Sequence, residues 1–240
     1  MTAQTPTQPA QLGAPILDNP AWGSLTGYHA GLAERHGQAA RLPADVSPFT
    51  ALADPADEQS WQDLATLVGP GQPVVVTGSL DAIPARWTVL ERGQGVQFVD
   101  TSLAAEPDPE AIRLWADDVP EMLDLVSRTQ PGPFLPRTIE LGTYLGIRHH
   151  GRLVAMAGER LHPPGWVEIS AVCTDPAEQG RGLATRLVKA VADGIRGRGE
   201  QAFLHTAATN ERAIRLYQSI GFTLRRTTTF AVVQTPDSAG

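Results

Sequence analysis

The chain has 240 residues, a formal net charge of −7 at neutral pH and a single cysteine, Cys173. One cysteine allows no disulfide within the chain and excludes a cysteine-rich zinc site. The acidic balance argues against broad binding to nucleic acid or to an anionic membrane. No apolar run approaches the roughly 20 residues that span a bilayer, and residues 1–15 lack the basic start and apolar core of a secretory signal. We therefore expect a cytoplasmic globular protein without nucleic-acid or membrane partners.

The first part of the chain changes its hydrophobic period near residue 70. Residues 1–15 are polar and proline-rich, which predicts a flexible tail. Apolar residues recur at helical spacing in residues 22–37 and more regularly in residues 56–69, so that we expect helices between 16 and about 67. Short β-branched runs at 72–78, 86–92 and 95–100 predict strands, and residues 100–110 predict a linker.

The second part of the chain alternates strand and helix patterns. Strands are predicted at 111–115, 166–174, 201–207 and 225–234, and a hairpin at 143–159 that turns at His150-Gly151. Helices are predicted at 117–129, at about 183–197 and from Asn210 to Gly221. The sum is a mixed α/β fold with helices on the faces of a sheet. We divide the chain into a tail (1–15), an N-terminal α/β region (16–104) and a second domain (105–240).

The segment from Gln179 to Thr185 has the composition of an anion site. It leads into a predicted helix, whose first N–H groups have no partner within the helix. Gly180 and Gly182 remove side chains that would keep a ligand away from those groups, and Arg181 adds positive charge. The alternative is a glycine-rich turn with an arginine in solvent. A dinucleotide fingerprint and a Walker loop both fail to match.

This segment fits the pattern Q/R-x-x-G-x-G/A through Gln179, Gly182 and Ala184. Together with the strand "VEISAVCTDP" and the helix "NERAIRLYQSIGF", it resembles the GNAT superfamily of acyl-CoA-dependent N-acyltransferases. The resemblance covers about residues 108–234. It implies a GNAT-type fold with a central, mostly antiparallel sheet, and residues 16–104 resemble a degenerate second lobe of the glycine N-acyltransferase type.

The resemblance also implies roles for single residues. The backbone of Val172, Cys173 and Thr174 would pair with the pantetheine arm of acetyl-CoA, the cosubstrate, and the Val172 N–H would face the thioester oxygen. Asn210 would contact the arm or cap its helix, and the Tyr217 hydroxyl would protonate the leaving thiolate. The pyrophosphate would bind to the N–H groups of residues 180–185, which are Gly180, Arg181, Gly182, Leu183, Ala184 and Thr185.

Acyl transfer to an amine also needs a neutral amine, and only about 1 in 10³ lysine-like amines is neutral at pH 7. A carboxylate of raised pKa, acting through water, could collect the proton. Glu168 on the strand 166–174 is our first candidate, at the spacing where histone-type members carry their base. The reserves are Glu140, Glu159 and His205.

Two functions remain open from the sequence. The first is an N-acetyltransferase that moves a short acyl group to a primary amine of a small molecule or peptide, without a metal, as a monomer or homodimer. The alternative is a non-catalytic acyl-CoA-binding sensor or assembly module. Tyr217 and Glu168 favour the enzyme, because a binding module needs neither residue. Cys173 is expected to be a buried apolar residue rather than a nucleophile.

Overall fold

The structure is a computed structural model that describes residues 12–78, 80 and 83–237. Residues 1–11, most of the predicted flexible tail, lie outside the described residues. Helices of the described part are α1 (Pro20–Leu25), α2 (Glu58–Val68), α3 (Val119–Thr129), α4 (Leu183–Gly197) and α5 (Glu211–Ile220). Short 3₁₀ turns are formed by Pro15–Asp18, Ala116–Asp118, Thr138–Leu141 and Pro176–Glu178.

The strands form one twisted sheet. Along the chain they are β1 (Glu34–His36), β2 (Ala39–Arg41), β3 (Phe49–Leu52), β4 (Pro73–Gly78), β5 (Thr88–Asp100), β6 (Ile112–Leu114), β7 (Tyr144–His149), β8 (Arg152–Glu159), β9 (Trp166–Thr174), β10 (Gln201–Ala207) and β11 (Phe222–Gln234). Their order in the sheet is β1-β2-β3-β4-β11-β5-β10-β9-β8-β7-β6. Only the described pairs β3–β4 and β9–β10 are parallel. The sheet is therefore mixed and mostly antiparallel, as predicted.

Two predictions for the first part of the chain are wrong. The helix predicted for residues 22–37 ends at Leu25, and β1 and β2 follow within the span that was assigned to helices. Three glycines at positions 23, 27 and 31 weaken a helix here, because glycine costs about 1 kcal/mol relative to alanine. The strands predicted at 86–92 and 95–100 are one continuous strand, β5, because Gly93 and Gln94 pair with β11 like their neighbours.

The second part of the chain follows the predicted elements closely. Strands β9 and β10 have the predicted bounds. The hairpin turns at His150 and Gly151, whose φ angles of 51° and 79° suit a type I′ turn. Helix α5 begins at the cap Asn210, whose side chain accepts a hydrogen bond from the N–H of Ala213, and ends at the left-handed Gly221. Helix α3 follows Asp118 and buries Val119, Met122 and Leu125.

The core is divided between the two ends of the sheet. Helix α4 packs on β7 to β10 and buries an apolar side that includes Leu187, Val191 and Ile195. A second cluster around Trp61 and Trp87 lies where α2 covers β4 and β11. The boundary at residue 104 stays a prediction; β5, which precedes it, lies in the middle of the sheet between β11 and β10. None of the described helices is long and apolar enough to cross a membrane.

Candidate active site

Strands β9 and β10 separate after a short paired segment, and a cleft opens between them. Their register runs from Trp166 opposite Gln201 to Ile169 opposite Leu204. Beyond this point, residues 170–174 of β9 and 205–207 of β10 line opposite sides of a cleft of about 1200 Å³. A parallel pair that separates leaves backbone N–H and C=O groups free for another partner. The cleft can therefore accept an extended ligand between the two strands.

A β-bulge lies on the β9 side of this cleft. Met156 of β8 is opposite Cys173, whereas Gly158 is opposite Ser170, so that Ala171 and Val172 together face a single residue of β8. Ala171 has a φ of 53°, which is unusual for a residue other than glycine. A bulge turns backbone groups out of the ladder and is common next to active sites. It lies where the sequence predicts the Val172 N–H to face the thioester.

The predicted anion loop adjoins the open end of the cleft. Gly180 and Gly182 have φ angles of 80° and 74°, and apart from the adjoining residues no heavy atom lies within 4 Å of the position that a Cβ would take in either. Helix α4 begins directly afterwards at Leu183, with Gly182 in the capping position. The N–H groups of its first turn have no partner in the helix and carry the positive end of its dipole. This arrangement can accept an anionic group, and binding of a pyrophosphate to it stays a prediction.

Most of the predicted coenzyme-binding residues line the cleft, with one exception. The lining residues are Val172, Cys173, Thr174, Gln179, Gly180, Gly182, Leu183, Ala184, Thr185 and Asn210. The exception is Arg181, which does not line the cleft; its side chain is 60 % exposed and pairs with Glu178 at the cleft's edge. Arg212 and Arg215 of α5 line the cleft instead, and Arg212 donates to Gln179 Oε1 at 2.7 Å. The positive charge beside the loop therefore comes from α5.

Tyr217 lies at the inner part of the cleft. Its ring is 7 % exposed and packs against Phe98 and Phe222, with centroids 6.3 and 6.0 Å away. Burial raises the pKa of the Tyr217 hydroxyl to about 12. The group is thus protonated at neutral pH and can donate a hydrogen bond to a developing thiolate. Complete transfer of the proton to a thiolate of pKa about 8.5 would be uphill by several kcal/mol, so that hydrogen-bond donation is the better description.

Glu168 occupies a different environment from the one predicted. The side chain is fully buried, and Arg160 donates to it from Nε and Nη2 at 2.8 and 2.7 Å. Burial alone would raise the pKa of this carboxyl, but the charge of Arg160 and hydrogen bonds from Arg160 and His205 hold its pKa well below the usual 4.5. The expected raised pKa is therefore wrong. A buried carboxylate paired in this way is a weak base.

His205 connects Glu168 to the wall of the cleft, and its hydrogen can be assigned. Arg225, which has no acceptor atom, donates to Oε1 of Gln97 at 2.8 Å and so fixes the orientation of that amide. Nε2 of Gln97 then donates to Nε2 of His205 at 3.0 Å. His205 must carry its hydrogen on Nδ1, from which it donates to Glu168 at 2.7 Å. Both ring nitrogens of His205 are occupied.

The other reserve bases lie away from the cleft. Glu140 is paired with Arg137 at the surface, and Glu159 is buried and accepts a hydrogen bond from Arg198 at 2.8 Å.

Cys173 is 6 % exposed, and burial raises the pKa of its thiol to about 11. It is a buried thiol, as expected, and not a poised nucleophile.

Comparisons with known proteins agree with this geometry. The family model described as FR47-like protein matches residues 144–231. The crystal structure of a putative acetyltransferase of the GNAT family from Novosphingobium aromaticivorans is 37% identical, covers 91% of this chain and 98% of that one, and has a TM-score of 0.83. The chain therefore belongs to the GNAT family. GNAT acetyltransferases use acetyl-CoA.

Two curated relatives match over shorter segments. The N-alpha-acetyltransferase RimI of Mycobacterium tuberculosis is 40% identical over 82 residues, which are 33% of this chain and 51% of the relative. A mycothiol acetyltransferase of Saccharopolyspora erythraea is 34% identical over 82 residues, 34% of this chain and 27% of the relative. The chain thus spans about half or less of the curated relatives that it matches.

Sequence reasoning missed several residues that line the cleft. Arg160 follows an apolar strand directly, but its ion pair with Glu168 depends on how far the chain turns between β8 and β9. Gln97 lies in the middle of β5, and its contact with His205 requires β5 and β10 to be neighbours. Arg212 follows the predicted cap Asn210 by two residues, and this closeness is a signal that could have been used.

Proposed function

We propose that the protein is an N-acetyltransferase that transfers the acetyl group of acetyl-CoA to a primary amine. The observation that carries the proposal is the bulged end of β9, where Val172 lines a cleft that leads to the glycine loop before α4. A thioester whose pyrophosphate is bound at this loop would extend along residues 172–174. Its carbonyl would then lie near an N–H group able to stabilise an oxyanion.

The proposed reaction is direct attack of the amine on the thioester. A bond forms between the amine nitrogen and the carbonyl carbon, and the carbonyl electron pair moves to the oxygen near Val172. The intermediate collapses as the C–S bond breaks, and its electron pair goes to the sulfur. Tyr217 donates a hydrogen bond to that sulfur, the nitrogen releases its extra proton to water, and the thiolate takes up a proton. The products are an amide and a free thiol.

Glu168 has a positioning role in this proposal. It balances the charge of Arg160 and orients His205, and both of these residues line the cleft. Neither Glu168 nor His205 is placed to take the proton of the amine, since the first is paired with Arg160 and the second accepts a hydrogen bond at Nε2. Deprotonation then depends on the pKa of the amine itself.

The N-terminal region, residues 16–104, is proposed to form the acceptor side. Leu17, Phe49, Val75 and Gln97 all come from it and line the cleft. The resemblance to a degenerate second lobe supports this role.

The test is release of thiol from acetyl-CoA with a panel of amines, together with mass spectrometry of the products. We expect at least one amine to gain the mass of a single acetyl group, and no thiol release without an amine. Binding of acetyl-CoA without acetylation of any amine would instead support the sensor function. Failure to bind acetyl-CoA at all would overturn both.

A further inference from the structure

One face of the sheet continues the cleft beyond His205 and is lined by five half-buried side chains, four of which are apolar. Phe49 of β3 is opposite Val75 of β4, and Val75 is opposite Val232 of β11. Thr77 is opposite Phe230 in the same pair of strands. Cross-strand partners share one face of a sheet, and all five side chains are half-buried and line the cleft. We call these five residues the apolar floor.

Two glycines of β5 lie between the apolar floor and β10. Gly93 is opposite Phe230, and a Cβ at Gly93 would lie 2.2 Å from Cζ of that ring. A Cβ at Gly95 would lie 3.0 Å from Oγ1 of Thr228. The absence of side chains at both positions lets Phe230 lie against the β5 backbone. Gly95, the apolar floor and residues 205–207 of β10 all line the same cleft.

The carboxylates that line the cleft are already paired. Asp18 accepts hydrogen bonds from Arg225 and Arg226, at 2.7 and 2.8 Å, and Glu178 is bound by Arg181. Arg160, which also lines the cleft, stacks over Phe49 at 5.0 Å and is neutralised by Glu168. Exposed Glu91, opposite Val232, is not among the residues that line the cleft. The described part of the groove thus offers apolar contact rather than a charge for a second cationic or anionic group.

From these features, and resting on the proposed acetyltransferase function, we infer the acceptor: the α-amine of a peptide-like molecule whose first side chain is apolar and binds the apolar floor. An α-amine has a pKa of about 7.7–8.0, so that roughly a tenth is neutral at pH 7, against about 1 in 10³ for a lysine side chain. A cleft whose described carboxylates and imidazole are all engaged suits the amine that needs no strong base.

The test uses four tripeptide amides with the sequence X-Ala-Ala, where X is Phe, Leu, Lys or Asp. Burial of an apolar side chain predicts that kcat/KM for the Phe and Leu peptides exceeds that for the Lys and Asp peptides by about 10- to 10²-fold. Mass spectrometry should place the acetyl group of the Lys peptide on its α-amine. Equal rates for all four peptides, or acetylation at the lysine ε-amine, would overturn the inference while leaving the acetyltransferase function in place.

A matched pair of variants separates the floor from general effects of charge. Val75→Asp puts a carboxylate on the floor, whereas Leu224→Asp puts one on exposed β11 outside the cleft. Val75→Asp should lower kcat/KM for the Phe peptide by about 10-fold or more relative to the Lys peptide, with unchanged calorimetric affinity for acetyl-CoA. Leu224→Asp should keep the wild-type order. If the folded Val75→Asp protein kept the wild-type order of kcat/KM among the peptides, the inference would be contradicted. If the wild type did not bind acetyl-CoA, the proposed function would be contradicted instead.

Discussion

His205 donates a hydrogen bond from Nδ1 to Oε1 of Glu168 at 2.7 Å, between neighbouring strands at the point where they begin to separate. Glu168 is fully buried and His205 is 22 % exposed on its side chain. The contact therefore links a buried charge to the wall of the cleft. Substitution of Glu168 and of His205, one at a time, therefore tests which of the two residues acts on the amine.

Glu168→Gln should lower the acetylation rate by the same factor at every pH. The amide introduced by this substitution can still accept from His205 but no longer neutralises Arg160, so that the wall of the cleft shifts; displacements of this kind can cost up to about 10²-fold in rate. The measurement is kcat/KM between pH 6 and 9.5 for wild type and variant. A loss that disappears at high pH, where the amine is already neutral, would restore Glu168 as the base.

The same substitution should be strongly destabilising. Removal of one partner of a buried ion pair typically costs about 3–5 kcal/mol, because the other charge is left uncompensated. Arg160→Met combined with Glu168→Gln should recover more than half of this loss, since no unpaired guanidinium remains. Denaturant unfolding at pH 7 measures both values. If the double variant were no more stable than Glu168→Gln, the ion pair would not be the source of the cost.

The difference in the free energy of unfolding between wild type and Glu168→Gln should depend on pH, and this dependence is the control for the ion-pair explanation. The folded-state pKa of Glu168 lies below its usual 4.5, so that ionisation of this group stabilises the folded protein above pH 4.5. That contribution declines as the pH falls through the lower folded-state value. The free energies of unfolding of wild type and Glu168→Gln, measured from pH 7 to pH 3, should therefore converge on the acid side. A constant difference would argue against the lowered pKa.

The glycine loop and the caps of the helices beside the cleft were predictable from the sequence, because their signals are local. Gly182, the start of α4 and the cap Asn210 are read from neighbouring residues, and ten of the predicted coenzyme-binding residues line the cleft. The environment of Glu168 was not accessible in the same way. Whether a strand glutamate is exposed or paired depends on Arg160 and His205, which lie on other parts of the chain.

The acceptor side was the least predictable part. The apolar floor is assembled from β3, β4 and β11, and residues 49, 75 and 232 become neighbours only through the strand order. The side chains of each strand alternate between the two faces of the sheet, but the sequence does not show which face a helix covers. The two glycines of β5 could have suggested a close approach of another side chain.

His205→Asn should change the rate by less than about 10-fold without changing its pH dependence. The Asn side-chain amide can still donate to Glu168, while it cannot act as a base. General-base catalysis is typically worth about 10²- to 10⁴-fold, so that the variant distinguishes the two roles clearly. The pH profile of kcat/KM with one peptide acceptor is the measurement. A loss above about 10²-fold near pH 7 that recovers above pH 9 would identify His205 as the base.

Ala184→Asp should weaken acetyl-CoA binding without destabilising the fold. Ala184 is in the first turn of α4 and lines the cleft. A carboxylate at this position is favourable for the helix dipole but repels a pyrophosphate, and like charges about 4 Å apart near a protein surface cost roughly 100-fold or more in affinity. Ala184→Asn is the neutral control of equal size. Calorimetry measures the acetyl-CoA affinity of both variants, and the melting temperature measures their stability. Equal affinities of the Asp and Asn variants would mean that the pyrophosphate does not bind to this loop. Gly182 is less suitable, because its φ of 74° would strain any other residue.

Tyr217→Phe should separate catalysis from binding and packing. The ring stays between Phe98 and Phe222, so that the free energy of unfolding should change by no more than about 1 kcal/mol, the usual worth of one hydrogen bond. Hydrogen bonds to charged groups are worth about 1.5–3 kcal/mol, so that loss of donation to the leaving thiolate should lower kcat by about 10- to 10²-fold. Since the pKa of the hydroxyl is about 12, wild type and variant should show parallel pH profiles up to about pH 10. The dissociation constant for acetyl-CoA should not change, because the proposed pyrophosphate contacts are on the loop before α4. Turnover at the wild-type rate would assign Tyr217 to the core alone, and a fall in acetyl-CoA affinity that matches the fall in rate would mean that the hydroxyl acts in binding instead.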